Sequence, residues 1–293
     1  MRDVSEEARV VSTNPTIQQR ELGSRLRELR LEHGLIIEDV AAKLLCSARK
    51  IGRLETGDRR PGLRDVRDLC ALYNLDRATT NELMELAREA REQVWWTEYE
   101  DLKLDPYVGL EQAASSITSF STFYVPALLQ TEDYARGVIK KIAPKMDSDI
   151  FRQRVEVRMH RQQILEGDNH LRYRVLMDES ALCRPVGGPE LMIAQIDKIL
   201  QIERDGKAAI QIIPFNCGVP AVGDSNFILL EFGDSTSISP LIFIESLTRN
   251  QYLQRKIDIE RYNEAIGYLR YSALNPRDSV EHMTEMRKRY SKQ

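Results

Sequence analysis

Apolar residues recur three and four positions apart along the N-terminal part of the chain, which is the period of amphipathic helices. The leucines of residues 22–33 follow this period until Gly34, so we expect a first helix that ends in a left-handed residue. Residues 38–45 repeat the pattern, and the small Ala41 and Ala42 leave room for a neighbouring helix to cross closely. Two consecutive helices are therefore predicted.

A third helix is predicted over residues 47–56. Ser47 can cap its first turn by accepting a backbone N–H, and Gly57 ends it. At helical spacing Ile51 and Leu54 point inward. The outward positions carry three cations, which are Arg49, Lys50 and Arg53.

This third helix and the loop after it are strongly cationic, although the whole chain has a formal charge of -3. Between Ser47 and Arg64 six cationic side chains stand against two acidic ones, a local balance of +4. Phosphate binding requires a local cationic surface rather than a basic protein. A solvated helix face is the plainer alternative, but helix, tight turn, capped helix and basic loop in this order favour DNA contact. Residues 22–75 are thus predicted to form an all-α five-helix helix-turn-helix module that binds double-stranded DNA.

A specific set of residues runs through this module: Arg30 to Leu35, Val40-Ala41, Ser47, Ile51, Leu54-Glu55, Gly57 and Pro61. With them the module resembles the phage-repressor-like XRE family of helix-turn-helix regulators. In that family the first turns of the third helix enter the major groove, which implies base contact by Ala48, Arg49 and Arg53. Arginine suits guanine, because its two-donor fork matches the two acceptors on the guanine edge.

Two further roles follow from the same alignment. The side chains placed for phosphate contact are Lys50, Arg59, Arg60 and Arg64. Arg30 and Glu55 match a pair that joins the first helix to the end of the third, so a structural ion pair is expected. One departure is Ile36-Ile37, where the family has Ser or Thr followed by a polar residue. This departure removes a side-chain cap and a phosphate contact, and DNA binding would then depend more on the arginines.

Chain length indicates two domains, since 293 residues exceed one domain of roughly 150. We expect a flexible arm at residues 1–18 and a helix-turn-helix DNA-binding domain at 19–78. A linker helix at 79–97 and an α+β regulatory or partner-binding domain at 98–293 should follow. No apolar run approaches the roughly 20 residues that span a bilayer, and the first residues lack the apolar stretch of a signal peptide. A cytoplasmic protein without a membrane partner is expected.

Metal and cofactor chemistry is not indicated by the cysteines or histidines. Cys46, Cys70, Cys183 and Cys217 form no Cys-x-x-Cys pair, and the four histidines share no ligand spacing. Reduced thiols, no metal and no cofactor are the expectation.

The second domain begins with helix candidates and continues with strands. The helix candidates are 108–120, 131–142 and 149–165. The last of them carries a row of arginines, Arg152, Arg154, Arg158 and Arg161. We expect this row to be a solvated face, and a second contact to the DNA backbone is the alternative. The predicted strands are 171–177, 209–213, 227–232 and 241–245, with a helix over 190–204 between the first two. Two helices, 262–274 and 276–290, close the chain. The fold class is therefore multidomain, with a C-terminal α+β domain around a small sheet.

This second half carries its own set of matching residues: 109–113, 125–135, 158–165, 178–182, 184–189 and 213–215. With them it resembles the C-terminal domain of one XRE subfamily, the antitoxin-like regulators common in filamentous bacteria. That resemblance implies a role in development or secondary metabolism and a gene often adjacent to one for a small partner protein. It implies no chemistry for the domain.

Candidate sites in the second domain are weak. Asp178-Glu179 follows a strand and could hold an acid/base pair, but no nucleophile stands at a recognisable spacing, and such acids usually cap helices. We expect no enzyme and no catalytic residue. A partner or ligand surface is predicted at Tyr124, Gln130, Tyr134 and Arg136, with a core and capping role as the alternative.

Three functional hypotheses remain open from the residues alone. The first is a sequence-specific transcription regulator that binds DNA as a homodimer, because repressors of this kind use paired half-sites. Its second domain is then expected to mediate dimerisation and to sense a partner protein or a ligand. The second is an antitoxin-like protein that sequesters a small partner protein and regulates its own gene. The third is a second domain that senses a ligand or has an enzymatic activity.

Overall fold

The computed structural model describes residues 17–91, 95–102, 107–166, 171–219, 222, 226–233, 236, 238–246 and 249–292. The predicted arm at 1–18 lies outside these residues, except for 17 and 18 at the start of the first helix. The chain divides into two units, of which the first contains most residues up to 97 and the second most of those that follow. No helix of the described residues is long and apolar enough to cross a membrane.

The N-terminal unit contains five α-helices: α1 Ile17–Glu32, α2 Ile37–Lys43, α3 Ala48–Glu55, α4 Leu63–Leu72 and α5 Arg77–Glu89. Their inward stripes meet in one hydrophobic core, which includes Leu22, Leu26, Val40, Ile51, Leu54, Val66, Leu69, Tyr73 and Leu83. Gly34 and Gly57 adopt positive φ, +63° and +78°, at the ends of α1 and α3, as expected for left-handed helix ends. The predicted α-helical module is therefore present.

The last of these helices differs from the expected linker at 79–97. α5 contributes Leu83 and Ala87 to the core of the N-terminal unit, where both are buried. The carboxylate of Asp76 caps α5 by accepting the Thr79 amide at 2.7 Å. This helix is thus the fifth helix of the module, and its residues have the helical apolar period because that face packs inward.

The C-terminal unit is built on a mixed six-stranded sheet in the order β3-β2-β1-β4-β5-β6. The strands are β1 Ser116–Ser121, β2 Arg172–Asp178, β3 Ala209–Ile213, β4 Phe227–Glu231, β5 Leu241–Ile244 and β6 Gln251–Leu253. β1, β2 and β3 run parallel, whereas β4, β5 and β6 continue from β1 as antiparallel neighbours. Helical segments lie between the parallel strands in the chain, as parallel pairing requires. This is the predicted α+β fold.

The helices of the second half are α6 Tyr107–Ala113, α7 Glu132–Ile142, α8 Ser148–Arg161, α9 Ser180–Cys183, α10 Pro189–Arg204, α11 Lys256–Ser272 and α12 Pro276–Tyr290. Shorter 3-10 segments are Trp95–Leu102, Ala127–Leu129, Gln162–Leu165 and Phe215–Cys217. α11 places Ile266 and Leu269 against Phe120, Leu176 and Phe227 of the sheet. That packing makes the inner face of α11 part of the domain core.

The helix expected over 108–120 is present only in its first half: α6 covers 108–113, whereas the central strand β1 takes 116–120, so the second half of that expectation is wrong. All six residues of β1 are buried, although four of them are Ser or Thr. Two of these hydroxyls have acceptors from other parts of the chain: the Ser116 hydroxyl donates to the Glu231 carboxylate of β4 at 2.8 Å, and that of Ser121 donates to the Tyr124 carbonyl, after β1, at 2.6 Å. These hydrogen bonds replace hydrogen bonds to water, so the two hydroxyl groups can be buried in a strand.

The arginine row of α8 is not a uniformly solvated face. The Arg161 guanidinium forms a two-point ion pair with the buried Glu111 carboxylate, at 2.6 and 2.8 Å. Nη1 of Arg158 donates to the side-chain carbonyl of Gln130 at 3.1 Å. Arg152 and Arg154 are exposed. The row therefore splits into two arginines with partners inside the unit, Arg158 and Arg161, and two exposed ones, Arg152 and Arg154.

Candidate nucleic-acid interface

Helix α3 is anchored by its cap and by two buried side chains. The Ser47 hydroxyl accepts the Lys50 amide at 3.2 Å, which closes the first turn. Ile51 is 1% exposed and Leu54 is 3% exposed. Together these contacts fix which side of the helix faces solvent.

A close crossing of α1 and α3 also fixes α3. A Cβ at Gly23 would lie 2.5 Å from the Glu55 carbonyl oxygen and 2.6 Å from that of Leu54. Only glycine leaves room for the backbone of α3 at this distance. The end of α3 is therefore set against α1 by direct backbone proximity.

An ion pair lies beside this crossing. Nε and Nη2 of Arg30 donate to the two carboxylate oxygens of Glu55, at 2.7 and 2.8 Å. Nη1 of Arg30 donates in addition to the Leu35 carbonyl at 2.8 Å. The hydrogen bond to Glu55 raises the pKa of Arg30. The pair is buried, and it joins α1 to both the loop before α2 and the end of α3.

The start of α2 shows how the chain accommodates Ile36. An isoleucine side chain offers no hydrogen-bond acceptor, and the helix has no side-chain cap at this position. The Asp39 carboxylate nevertheless accepts the Ile36 amide at 3.1 Å. One half of a capping box is therefore present, and the exposed Ile36 offers no polar group for phosphate.

The outer face of α3 carries Arg49, Gly52 and Arg53, whereas Ala48 at the start of the helix is half-buried and packs against the hydrophobic core of the unit. Arg49 is exposed, and it forms no ion pair among the residues described. Nη2 of Arg53 donates to the Asp58 carbonyl at 3.0 Å. Apart from its chain neighbours and the backbone of α3 itself, no atom of the described residues lies within 4 Å of where a Cβ of Gly52 would be. The face is therefore flat at its centre, with two guanidinium groups beside it.

The other cations predicted to contact phosphate differ in the contacts that their side chains already make within the protein. Nζ of Lys50 lies 2.6 Å from the Asp65 carboxylate, and both side chains are about a quarter exposed. Arg60 donates to the Arg91 carbonyl, and Arg91 in turn donates to the Pro61 carbonyl at 3.1 Å. The basic loop is thereby attached to the end of α5.

Arg59 and Arg64 are more accessible than Lys50, and Arg60 is exposed as well. Arg59 is exposed. Arg64 has a side chain 86% exposed and lies 3.7 Å from the Asp68 carboxylate, a weak surface contact. Sequence reasoning missed two residues of this region: Asp65, which opposes Lys50, and Gly52, which leaves the centre of the outer face open. An isolated glycine inside a predicted helix was the available signal for the second.

The expected partner or ligand surface in the C-terminal unit is wrong for two of its four residues. Gln130 and Tyr134 are fully buried. Nε2 of Gln130 donates to the Val125 carbonyl at 2.6 Å, and the Tyr134 hydroxyl accepts the Val125 amide at 3.2 Å. Burial raises the pKa of Tyr134 to about 12. These side chains tie the segment before α7 into the core, because their polar ends satisfy its backbone.

The other two residues of that set are only partly accessible. Arg136 forms an ion pair with Glu132 at 2.6 Å within α7. Tyr124 is half-buried, and burial raises its pKa. The structure does not bring the four side chains together on one exposed surface.

Asp178 and Glu179 hold the chain at the end of β2. The Asp178 carboxylate accepts the Ser180 amide at 2.8 Å. The Glu179 carboxylate accepts the Phe215 amide at 3.0 Å and lies 3.3 Å from Nε2 of His282. Both carboxylates thus satisfy backbone donors. Within the described residues no three His, Cys, Asp or Glu side chains are grouped to hold a metal ion.

Comparison with known families assigns both halves. Residues 21–83 match the family model described as Helix-turn-helix domain. Residues 104–285 match the family model described as Domain of unknown function (DUF5753). No curated protein and no solved structure matches the chain significantly.

Proposed function

The chain belongs to the family described as Domain of unknown function (DUF5753) and carries a helix-turn-helix DNA-binding domain ahead of that region, and from this premise we propose that it is a sequence-specific transcription regulator of the XRE type. In this proposal α3 enters the major groove of double-stranded DNA. The observation that supports it best is the outer face of α3, where Arg49 and Arg53 lie together beside the open position at Gly52.

Base contact is assigned to Ala48, Arg49 and Arg53. A guanidinium group can donate two hydrogen bonds to the O6 and N7 acceptors of guanine. The methyl group of Ala48 suits the methyl group of thymine. Arg53 has further donors for this contact, because among the described residues its guanidinium group donates through Nη2 to the Asp58 carbonyl.

Phosphate contact is assigned chiefly to Arg59 and Arg64, which are exposed. Arg60 contributes charge close to the backbone while it remains attached to α5. Lys50 contributes less than its sequence position suggests, since Asp65 neutralises its charge in the free protein. These contacts set the position of α3 on the duplex, whereas the base contacts read its sequence.

A homodimer follows from the size of the site that one unit can read. One recognition helix contacts only a few base pairs, and regulators of this kind bind two half-sites about one helical turn apart. We therefore propose two copies of the chain on a near-palindromic operator.

The experiment is fluorescence anisotropy with DNA from the region upstream of the gene, against scrambled DNA of equal composition. We expect the wild type to prefer the upstream DNA by at least roughly a thousandfold. The variant Arg49→Ala/Arg53→Ala should lose this preference while it keeps salt-sensitive binding. The matched control, Arg27→Ala/Arg77→Ala, removes the same charge from exposed positions on α1 and α5 and should keep the preference. Equal losses in both variants would overturn the base-contact assignment.

A further inference from the structure

Arg158 on α8 is a largely buried cation without an opposite charge in contact. Its Nη1 donates to the side-chain carbonyl of Gln130 at 3.1 Å, and it forms no ion pair with a carboxylate of the described residues. A neutral carbonyl compensates only in part for the lost hydration of a cation, and buried charges are ordinarily paired. Burial accordingly lowers the pKa of Arg158 to about 10. The free protein therefore holds a positive charge that nothing in contact with it neutralises.

The other donors of this guanidinium group are open. Nε and Nη2 of Arg158 have no acceptor among the described residues, yet neither atom is sealed from solvent. The protein thus fixes one end of the group through Gln130 and leaves its side edge at an opening. Nε and Nη2 together form the edge of an arginine that can donate two parallel hydrogen bonds.

Two other buried arginines of this chain show what that edge binds. Nε and Nη2 of Arg30 donate to the Glu55 carboxylate at 2.7 and 2.8 Å. The same two atoms of Arg161 donate to the Glu111 carboxylate at 2.6 and 2.8 Å. Arg158 presents the same edge without a carboxylate on it. Its geometry therefore suits a group with two adjacent anionic oxygens, which is either a carboxylate or a phosphate.

The neighbouring arginines of α8 make the opening more positive. Arg154, Arg158 and Arg161 follow at spacings of four and three residues, so they lie on one side of the helix. Burial is the main cause of the low pKa of Arg158, and the charges of Arg161 and Arg154 lower it further. Glu111 neutralises Arg161, whereas Arg154 is exposed. This side of α8 therefore reaches solvent at Arg154, where its charge attracts anions.

Tyr124 supplies a neutral donor beside Arg158. Gln130 links the two segments, because its Nε2 donates to the Val125 carbonyl at 2.6 Å while its Oε1 accepts from Arg158. Burial raises the pKa of Tyr124, and the nearby charge of Arg158 opposes that rise. The Tyr124 hydroxyl forms no hydrogen bond within the described residues and is not sealed from solvent. The exposed Glu245, just after β5, is a nearby negative charge that stays out of contact with Arg158.

We propose that the C-terminal unit binds a small anionic molecule at this opening, with a carboxylate or phosphate group held by Nε and Nη2 of Arg158 and by the hydroxyl of Tyr124. Arg154 lies at the entrance and attracts the anion. The depth of Arg158 favours a small molecule over duplex DNA, whose backbone meets exposed cations. The site goes beyond the proposed function and does not depend on it, since every residue involved lies in the C-terminal unit.

The test is calorimetric titration of the full chain, without DNA, with inorganic phosphate and separately with sodium acetate at constant ionic strength. We expect the wild type to bind at least one of them at a single site, and the tighter of the two identifies the anionic group. Arg158→Gln keeps an amide donor for Gln130 but removes the charge, so it should raise the Kd by at least about tenfold.

Three further variants locate the site. Tyr124→Phe should raise the Kd by about three- to tenfold, because one hydrogen bond is lost. Glu245→Gln should lower the Kd, because it removes a negative charge near the anion. The matched control Arg152→Gln removes an exposed charge from the opposite side of α8 and should leave the Kd unchanged.

Thermal unfolding separates a binding site from a structural role. Without anion, Arg158→Gln should melt no lower than the wild type, because it removes a buried charge that is not neutralised. Phosphate at about a hundred times its Kd should raise the melting temperature of the wild type by about 5–10 °C. The variant should show only the smaller effect that phosphate has on proteins in general.

Three results would overturn the inference. The first is a wild type that binds neither anion, and the second is an equal rise in melting temperature for the wild type and Arg158→Gln. The third is a variant that melts lower than the wild type and keeps its anion affinity, since Arg158 would then serve only to hold Gln130. Weaker binding of Arg158→Gln to nonspecific duplex DNA, with no response of the wild type to either anion, would assign the arginine row to the DNA backbone instead.

Discussion

The Lys50 ammonium lies 2.6 Å from the Asp65 carboxylate, which places the start of α4 against the cationic side of α3. The contact joins residues fifteen positions apart on consecutive helices. It also neutralises a cation at the edge of the proposed DNA interface. The charge available to phosphate is therefore lower than a count of Lys and Arg suggests.

Asp65→Asn should release Lys50 and strengthen DNA binding. The substitution keeps the shape of the side chain and removes its charge, so one more cation becomes available to phosphate. We expect tighter binding to any duplex and a slope of log K against log salt that is steeper by about 0.9, the value for one added phosphate contact. The measurement is anisotropy on nonspecific DNA over a salt series. An unchanged slope would show that Lys50 stays away from the backbone.

Breaking the Arg30–Glu55 pair should unfold the N-terminal unit more easily. Both side chains are less than a tenth exposed, so removal of one leaves a buried charge without its partner. Arg30→Met or Glu55→Gln alone should lower the free energy of unfolding by about 3–5 kcal/mol. Urea denaturation followed by circular dichroism measures this. Arg30→Met/Glu55→Gln should cost less than the sum of the single variants, and simple additivity would contradict the pairing.

Substitution by alanine should change the stability of the fold in opposite directions at two glycines. Gly23→Ala places a methyl group 2.5 Å from the Glu55 carbonyl oxygen and should destabilise the fold by about 2 kcal/mol. Gly52→Ala places its methyl group against no described residue outside α3 and should stabilise the fold by about 0.5–1 kcal/mol, since alanine is the better helix former.

The same Gly52→Ala variant should bind specific DNA less well, because the added methyl group lies at the centre of the face that enters the groove. Thermal unfolding and anisotropy on one preparation give both values. Higher stability with undiminished specific affinity would place Gly52 away from the DNA.

Tyr73 should make the fold sensitive to alkaline pH. Burial raises the pKa of Tyr73 to about 12, above the ordinary value near 10, and its hydroxyl has no hydrogen-bond partner in the described structure. The unfolded chain therefore loses this proton at lower pH than the folded chain. Stability should be complete below pH 10 and should fall between pH 10 and about 12, by about 2 kcal/mol from this group.

Tyr73→Phe removes that loss. The variant should be about as stable as the wild type at pH 7 and more stable than it at pH 11, as measured by urea midpoints at the two pH values. A parallel decline of both proteins with pH would assign the alkaline sensitivity to other groups.

The helix-turn-helix domain was predictable because its signals are local. The leucine spacing of α1, the cap at Ser47 and the terminal glycines each lie within one turn of the element they define. β1 was not predictable in the same way. Its serine and threonine residues resemble an exposed segment, and they are buried only because β4 and the Tyr124 segment supply acceptors from elsewhere in the chain.

The candidate site shows the same division between local and distant effects. The outward direction of Arg49 and Arg53 follows from the period of one helix. The neutralisation of Lys50 depends on how α3 and α4 pack, and the burial of Gln130 depends on contacts from α8 and α10. Neither can be read from the spacing of residues within one element.

Selection of bound sequences from a pool of random duplex DNA tests the central claim most directly, since it requires no knowledge of the operator. For the wild type we predict enrichment of an inverted repeat whose half-sites are about 10 base pairs apart, centre to centre, each with guanine at fixed positions. The selection with Arg49→Ala/Arg53→Ala should lose those guanines. If both proteins enrich the same sequence, or if the wild type enriches none, α3 does not read DNA as proposed.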